Sequence, residues 1–208
     1  MRRLTPAGIA LALACATVLL GFAVGRRPDP AWMMVYEAAW VNHGTLIAWW
    51  ITWLGWFDVL FPIAIVLAIL AIRYRAWRSR LIFAVVELAI AWRTTDLLQH
   101  LFARPRRLDW VVKHETSFSY PSSHAAVAVV FYLVLAVFVW RSPLRGRAWI
   151  ASLLVLAAAG ILWSRLALGA HYLTDIVGGL LWGATVVTAI AACWPTNVFE
   201  GRPRASLE

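Results

Sequence analysis

Charge is what this chain has least of. Only 14% of its 208 residues are charged, where a soluble domain carries about a quarter. Lysine occurs once, as Lys113, so the basic residues are nearly all arginine. Cysteine occurs twice, as Cys15 and Cys193, each in or beside an apolar run. With neither thiol in a polar loop, no disulfide framework is readable. Acidic residues are scarce too, 10 against 19 basic, for a net charge of +9. That excess does not point to nucleic acid, because the arginines lie between apolar runs and line no single phosphate-tracking face. A disordered chain is excluded as well, since such chains are poor in apolar and aromatic residues.

What the chain has is hydrophobic length. Hydrophobic residues make up 62% of it, and a helix needs about 20 of them in succession to cross the hydrocarbon core. The expected architecture is all-α, a polytopic bundle of six transmembrane spans folded as one membrane-embedded domain over residues 1–208. The spans are expected near residues 6–25, 55–72, 81–102, 123–140, 149–163 and 172–193. The first is longer than a signal-peptide core and reads as a retained anchor. Residues 44–72 are too long for one upright helix, so their first part, with residues 30–43, reads as a helix lying at the interface near the outer face.

Arginine placement sets the expected topology. Arg73, Arg75, Arg78 and Arg80 crowd one short loop, and Arg141, Arg145 and Arg147 another. Arg2-Arg3 and Arg202/Arg204 mark the two ends. The positive-inside rule puts all four groups in the cytoplasm, and an even span count agrees. Arg26-Arg27 fall on the wrong side of this scheme. The tryptophans from Trp32 to Trp56 crowd an outer stretch, as an aromatic belt does. The outward ends of the last four spans then carry Arg104–Arg107, Tyr120–His124, Ser164-Arg165 and His171, all at one depth.

The strongest chemical signal runs from Ser164-Arg165 to His171 and Asp175. His171 and Asp175 are four apart and share a helix face. A carboxylate there holds the Nδ1 proton of the imidazole and leaves Nε2 as nucleophile or base. Arg165 lies six residues before His171, out of phase for one helix. Gly169 between them suits a tight turn, so both side chains can converge on one ligand. The same residues also suit a plain ion pair of Arg165 with Asp175 beside a hydrogen-bonded histidine.

The second signal is Tyr120-Pro121-Ser122-Ser123-His124, opening the fourth span. Proline and small hydroxyl residues at a helix start leave backbone N–H groups free, and with the helix dipole these cradle phosphate. His124 is then placed to hand a proton to a leaving oxygen. Taken singly, this is equally a serine N-cap beside a solvated histidine.

Together with Arg104-Pro105-Arg106-Arg107, these residues resemble the type-2 phosphatidic acid phosphatase superfamily, whose motifs read K-x6-R-P, P-S-G-H and S-R-x5-H-x3-D. Ser164, Arg165, His171 and Asp175 match the third motif throughout, and Pro121, Ser122 and His124 match the second. The first is degenerate: with the family arginine on Arg106, Gln99 stands at the lysine and Arg107 at the proline. The alternative, Arg104-Pro105, puts Leu97 at the lysine.

The resemblance implies a metal-independent phosphatase of the bilayer, without cofactor, working through a phosphohistidine on a lipid phosphate or diphosphate. It implies His171 as nucleophile, Asp175 as its orienting carboxylate and His124 as the acid that becomes the base for water. Arg106 and Arg165, with Ser122, Ser123 and secondarily Arg104, are implied as the phosphate cradle. The implied setting is a bacterial inner membrane, with the site on the periplasmic side and both termini cytoplasmic. Polyprenyl diphosphates, phosphatidylglycerophosphate, phosphatidate and phosphorylated lipid A all suit the family. A lipid phosphotransferase of the same fold, or a transporter or scaffold that lost activity with the lysine, are the rival readings.

The missing lysine removes one cation, which Arg104, Arg107 or Lys113 is available to replace, and restoring it by Gln99→Lys is expected to raise phosphate affinity. Histidines at their reference pKa of ~6.5 predict a bell-shaped pH profile. Arg93, Asp96 and His100 recur at helical spacing on the third span, either as a polar seam under the site or as an internal ion pair. Asp58 and Glu87 stand isolated in apolar surroundings. Gly178, Gly179 and Gly183 are expected to permit close helix packing.

Overall fold

The computed structural model describes residues 5–107, 116–194 and 198–199. Lys113, His114 and Glu115, and the terminal arginines, lie outside them. Among the described residues the chain is helical, with no strand. All six stretches read as spans are helical. Helix α1 covers Pro6–Val24, α2 Ala31–Ala38 and α3 Thr45–Thr52. A 3-10 turn at Trp53–Gly55 leads into α4, Phe57–Arg73. Then come α5, Arg78–Phe102, α6, Ser123–Trp140, α7, Arg147–Ala167, and α8, Leu173–Cys193.

Length and apolarity qualify α1, α6, α7 and α8 as membrane spans. The α3–α4 pair, bent by 42° at its break, makes a fifth if taken as one. The remaining expected span, the third, is α5, which has 25 residues, ample length at about 1.5 Å each. Glu87, Arg93 and Asp96 in its middle keep it from qualifying on composition. The expected interfacial helix is in fact two short ones, α2 and α3, separated by residues 39–44.

Burial identifies the centre. In α6, 61% of the most apolar window is buried, against 17–33% in α1, α7 and α8. Around α6 pack α5, α7 and α8, while α4 lies on α5, α3 on α7 and α1 along α8. Val127, Val130 and Phe131 of α6 meet Leu60, Leu88, Ile161 and Val186 in the main core. The outer faces keep Leu11, Leu19, Phe22, Ile69, Ile72, Trp149 and Leu156 exposed. Exposed apolar surface on that scale is a liability in water and the natural complement of hydrocarbon. Both cysteines are free and exposed.

Three contacts fix α6 at its polar end. Gln99 Nε2 of α5 donates to the Pro121 carbonyl at 2.9 Å, and the Ser122 N–H donates to the Asp175 carbonyl at 2.9 Å. The Ser122 carbonyl lies against Gly179 of α8, where any Cβ would collide with it. The start of α6 and the start of α8 are thereby held side by side.

Candidate active site

The α7–α8 connection is the tight turn expected around Gly169. Gly169 adopts φ +64°, the left-handed region that glycine occupies without strain. The Ala170 N–H donates to the Arg165 carbonyl at 3.0 Å. Arg165 and His171 are both buried at this end of the bundle and close enough to interact electrostatically. Arg165 Nη1 donates to the Thr52 hydroxyl at 2.7 Å. Ser164 is spent inside α7, its hydroxyl bonding the Ile161 carbonyl.

His171 sits between a cation and a carboxylate. Arg106 Nη1 lies 2.9 Å from its Nε2, and Asp175 Oδ2 lies 3.5 Å from its Nδ1. A guanidinium has no lone pair to accept with, so Nε2 is the acceptor and the ring proton resides on Nδ1, facing Asp175. Burial, then Arg106 and Arg165, hold the His171 imidazole well below its ordinary pKa. It is a neutral base with its lone pair covered by Arg106. The remaining Arg106 donors reach the Ser117 carbonyl and hydroxyl at 2.8 Å each, and the Ala170 carbonyl at 3.1 Å.

His124 of α6 is buried nearby, within electrostatic range of Arg165, His171 and Arg106. Among the described residues neither of its ring nitrogens completes a hydrogen bond of good geometry, although the Thr52 backbone lies close. Ser123 and His124 line one end of a cavity of about 610 Å³ that runs between α4 and α5. Beyond them its walls are almost wholly apolar, from Trp56 and Leu60 down to Ala68 and Val85.

Two of the expected phosphate contacts are placed differently. Arg104 is fully buried and committed to carboxylates: Nη1 donates to Asp175 Oδ1 at 2.6 Å and Nη2 to Asp29 Oδ1 at 2.7 Å. Its other donors reach the Thr174 hydroxyl at 2.7 Å and the Arg27 carbonyl at 3.0 Å. Burial pulls its pKa down, but Asp175 and Asp29 together raise it above the ordinary value. Arg104 therefore holds Asp175 rather than facing a ligand. Ser122 caps α6, its hydroxyl accepting the Ala125 N–H at 3.4 Å. With its own N–H on Asp175, Ser122 serves the joint between α6 and α8.

Asp29, Glu37 and Ser119 belong to no motif and were not expected at the site. Asp29 accepts from the Thr174 N–H and hydroxyl as well as from Arg104. Glu37 pairs with Arg107 and accepts the Leu173 N–H at 2.8 Å. Ser119 donates to Asp175, which also accepts the Tyr172 N–H at 2.9 Å. Three carboxylates thus satisfy the first N–H groups of α8, where the helix dipole favours negative charge. Burial pushes the Glu37 carboxyl up to about 7, against the pull of Leu173 and Arg107 and with Asp29 adding to the rise. Tyr172 lies under the guanidinium groups of Arg104 and Arg107, 4.3 and 5.4 Å from its ring centre.

The polar residues of α5 do not form one seam. Asp96 pairs with His100 at 3.7 Å on an outward face, while Arg93 lines the cavity. Glu87 is fully buried, and neither carboxyl oxygen finds a hydrogen-bond partner among the described residues.

Known proteins bear on this arrangement. A profile of the PAP2 superfamily matches residues 4–199. YbjG of Escherichia coli (strain K12), named provisionally as an undecaprenyl-diphosphatase, is 32% identical over 124 residues. That alignment takes in 57% of this chain and 59% of YbjG, under two thirds of the relative's length. The crystal structure of a transmembrane PAP2-type phosphatidylglycerolphosphate phosphatase from Bacillus subtilis aligns with a TM-score of 0.69, covering 87% of this chain and 93% of that one. At 20% identity the likeness is one of fold.

Proposed function

The chain belongs to the PAP2 superfamily of membrane phosphatases, and on that premise we propose that it hydrolyses a lipid phosphate or diphosphate through a phosphohistidine. The observation that carries this reading is His171 poised between Asp175 and Arg106, beside a cavity that leads from His124 into apolar walls.

In the proposed reaction the substrate phosphate enters between the imidazoles, and Arg106 leaves the His171 lone pair for an equatorial oxygen. His171 Nε2 attacks phosphorus as the bond to the lipid oxygen breaks, and His124 gives that oxygen a proton. Arg106 and Arg165 neutralise the equatorial charge, a task suited to guanidinium forks. Ser123 adds a contact at the lip. Asp175 stabilises the positive charge that grows on His171, and Arg104, with Asp29 behind it, keeps Asp175 in place. Water, activated by His124 now acting as base, then cleaves the phosphohistidine and releases phosphate. Positioning and cationic clamping suffice, because phosphoryl transfer needs little else from a protein.

The cavity supports a lipid as the substrate class. Apolar walls between α4 and α5 suit acyl or prenyl chains, with a polyprenyl diphosphate or a phospholipid phosphate such as phosphatidylglycerophosphate or phosphatidate as the expected lipid. Arginine placement supports a site on the outer face of a bacterial inner membrane with both termini cytoplasmic.

Phosphate release from a panel of lipid phosphates, in detergent, tests the reading. Wild type is expected to release phosphate in excess EDTA, and His171→Ala is expected to release none at equal yield. Turnover by His171→Ala removes the nucleophile from the scheme, and phosphate passed to a second lipid without release points to a phosphotransferase.

A further inference from the structure

Arg93 stands in an unusual place. It is on α5, nine residues before the helix ends at Phe102, which sets it roughly 14 Å below that end at about 1.5 Å per residue. Its neighbour Thr94 accepts from Trp182 of α8 at 3.0 Å, and Gly183 packs on the Ala126 carbonyl. Arg93 therefore lies further from the polar end of the bundle than Ser123 and His124; it is exposed, and all three line the same cavity. Among the described residues it makes no ion pair; its guanidinium lies over the neighbouring Trp92 ring, 5.8 Å from its centre. Asp96, one turn on, is turned to His100 instead. Trp92 stacks on Phe57 at 4.5 Å, so the wall around the guanidinium is aromatic and apolar. A cation at membrane depth without a carboxylate is costly, and such residues mark ligand paths.

We propose that Arg93 is a second anion site, binding a phosphate that stays on the leaving group, and that it favours lipids carrying two phosphates. The proposal rests on the lipid-phosphatase reading above. The phosphate under attack belongs between His171 and His124, where Arg106 and Arg165 already supply charge. Arg93 lines the same cavity as His124, which on the proposed reaction receives the leaving group. When the phosphorus–oxygen bond breaks, its electron pair goes to the leaving oxygen, which takes the His124 proton. From a prenyl diphosphate the leaving group is a prenyl monophosphate. From phosphatidylglycerophosphate it is phosphatidylglycerol, which keeps its phosphodiester. Both carry negative charge into a nearly apolar cavity, where a guanidinium fork neutralises it. Phosphatidate instead leaves diacylglycerol, which is uncharged and gives Arg93 nothing to hold.

The experiment compares phosphate release from a prenyl diphosphate, phosphatidylglycerophosphate and phosphatidate by wild type, Arg93→Gln and Arg93→Lys in detergent micelles. For Arg93→Gln, the ratio of kcat/KM on the two-phosphate lipids to that on phosphatidate is expected to fall about tenfold, the effect of one charged hydrogen bond. Arg93→Lys, which keeps the charge without the fork, should recover part of the ratio. A fall confined to one of the two lipids identifies which leaving-group phosphate the site holds. An unchanged ratio in an active Arg93→Gln variant overturns this proposal alone. A wild type that releases phosphate from none of the three overturns the lipid-phosphatase reading and this one with it.

Discussion

Arg106 Nη1 lies 2.9 Å from His171 Nε2, covering the lone pair that the proposed attack on phosphorus requires. The arrangement keeps the ring neutral, because protonating Nε2 would set two cations against each other. An arriving phosphate offers Arg106 a better acceptor and uncovers the nucleophile in the same movement.

That relationship sets the pH dependence. Burial, Arg106 and Arg165 lower the His171 pKa, so His171 is protonated and lost as a nucleophile only as pH falls through a value beneath the usual histidine range. The acid limb of kcat/KM should therefore lie below ~6.5, lower than an unperturbed histidine predicts. Arg106→Gln removes one lowering charge. Its kcat/KM should drop by roughly a hundredfold, and its acid limb should move to higher pH. A limb that stays in place or moves lower contradicts this electrostatic assignment.

Gly55 touches the ring of His124. A Cβ there would stand 2.5 Å from the imidazole Cδ2, so Gly55→Ala must displace the histidine. The expected outcome is a loss in kcat of at least about tenfold, since small misplacements of reacting groups are costly, with KM changing far less. Steady-state kinetics on one lipid phosphate decide it, and wild-type kcat would show that His124 acts from elsewhere.

Asp29 and Asp175 share one arginine. Asp29→Asn leaves Arg104 buried with a single carboxylate partner, and breaking such a pair costs on the order of 3 kcal/mol. Thermal unfolding in detergent should show a lower Tm, with reduced activity because Asp175 loses its fixed support. An unchanged Tm would mean that Asp175 alone suffices for Arg104.

Gln99 occupies the family lysine position, yet its side chain serves the backbone of Pro121. Gln99→Leu leaves that buried carbonyl unsatisfied and should destabilise by about 1–3 kcal/mol. Gln99→Lys should find the same carbonyl and leave inhibition by inorganic phosphate unchanged, contrary to the gain expected from the motif alone. Tighter phosphate inhibition would show the amine turned into the site.

The helices and the pair His171/Asp175 were readable from the chain because both are local. Long apolar runs become helices in hydrocarbon since every backbone N–H and C=O must then be satisfied within its own segment. The interval of four residues read as one helix face, but α8 begins only at Leu173, after the extended Tyr172, so His171 precedes the helix and meets Asp175 across its first turn. The glycine turn after α7 was readable because it too is local. The span count was harder, because α5 mixes apolar residues with Glu87, Arg93 and Asp96, and composition alone does not tell a cavity wall from a lipid face.

The division of labour among three neighbouring arginines was not local. Arg104 goes to Asp29 and Asp175, Arg106 to His171, and Arg107 to Glu37. Their partners lie 65 to 75 residues away along the chain. Asp29 and Glu37 carry no motif, and nothing in their surroundings in sequence distinguishes them from solvated carboxylates. The sequence by itself determined a helical membrane protein and a histidine–aspartate pair at a helix start. Only the packing of α2 and its flanking segment against α8 decided which guanidinium meets an imidazole and which are neutralised by carboxylates, because a long flexible side chain binds whatever the fold brings within its reach.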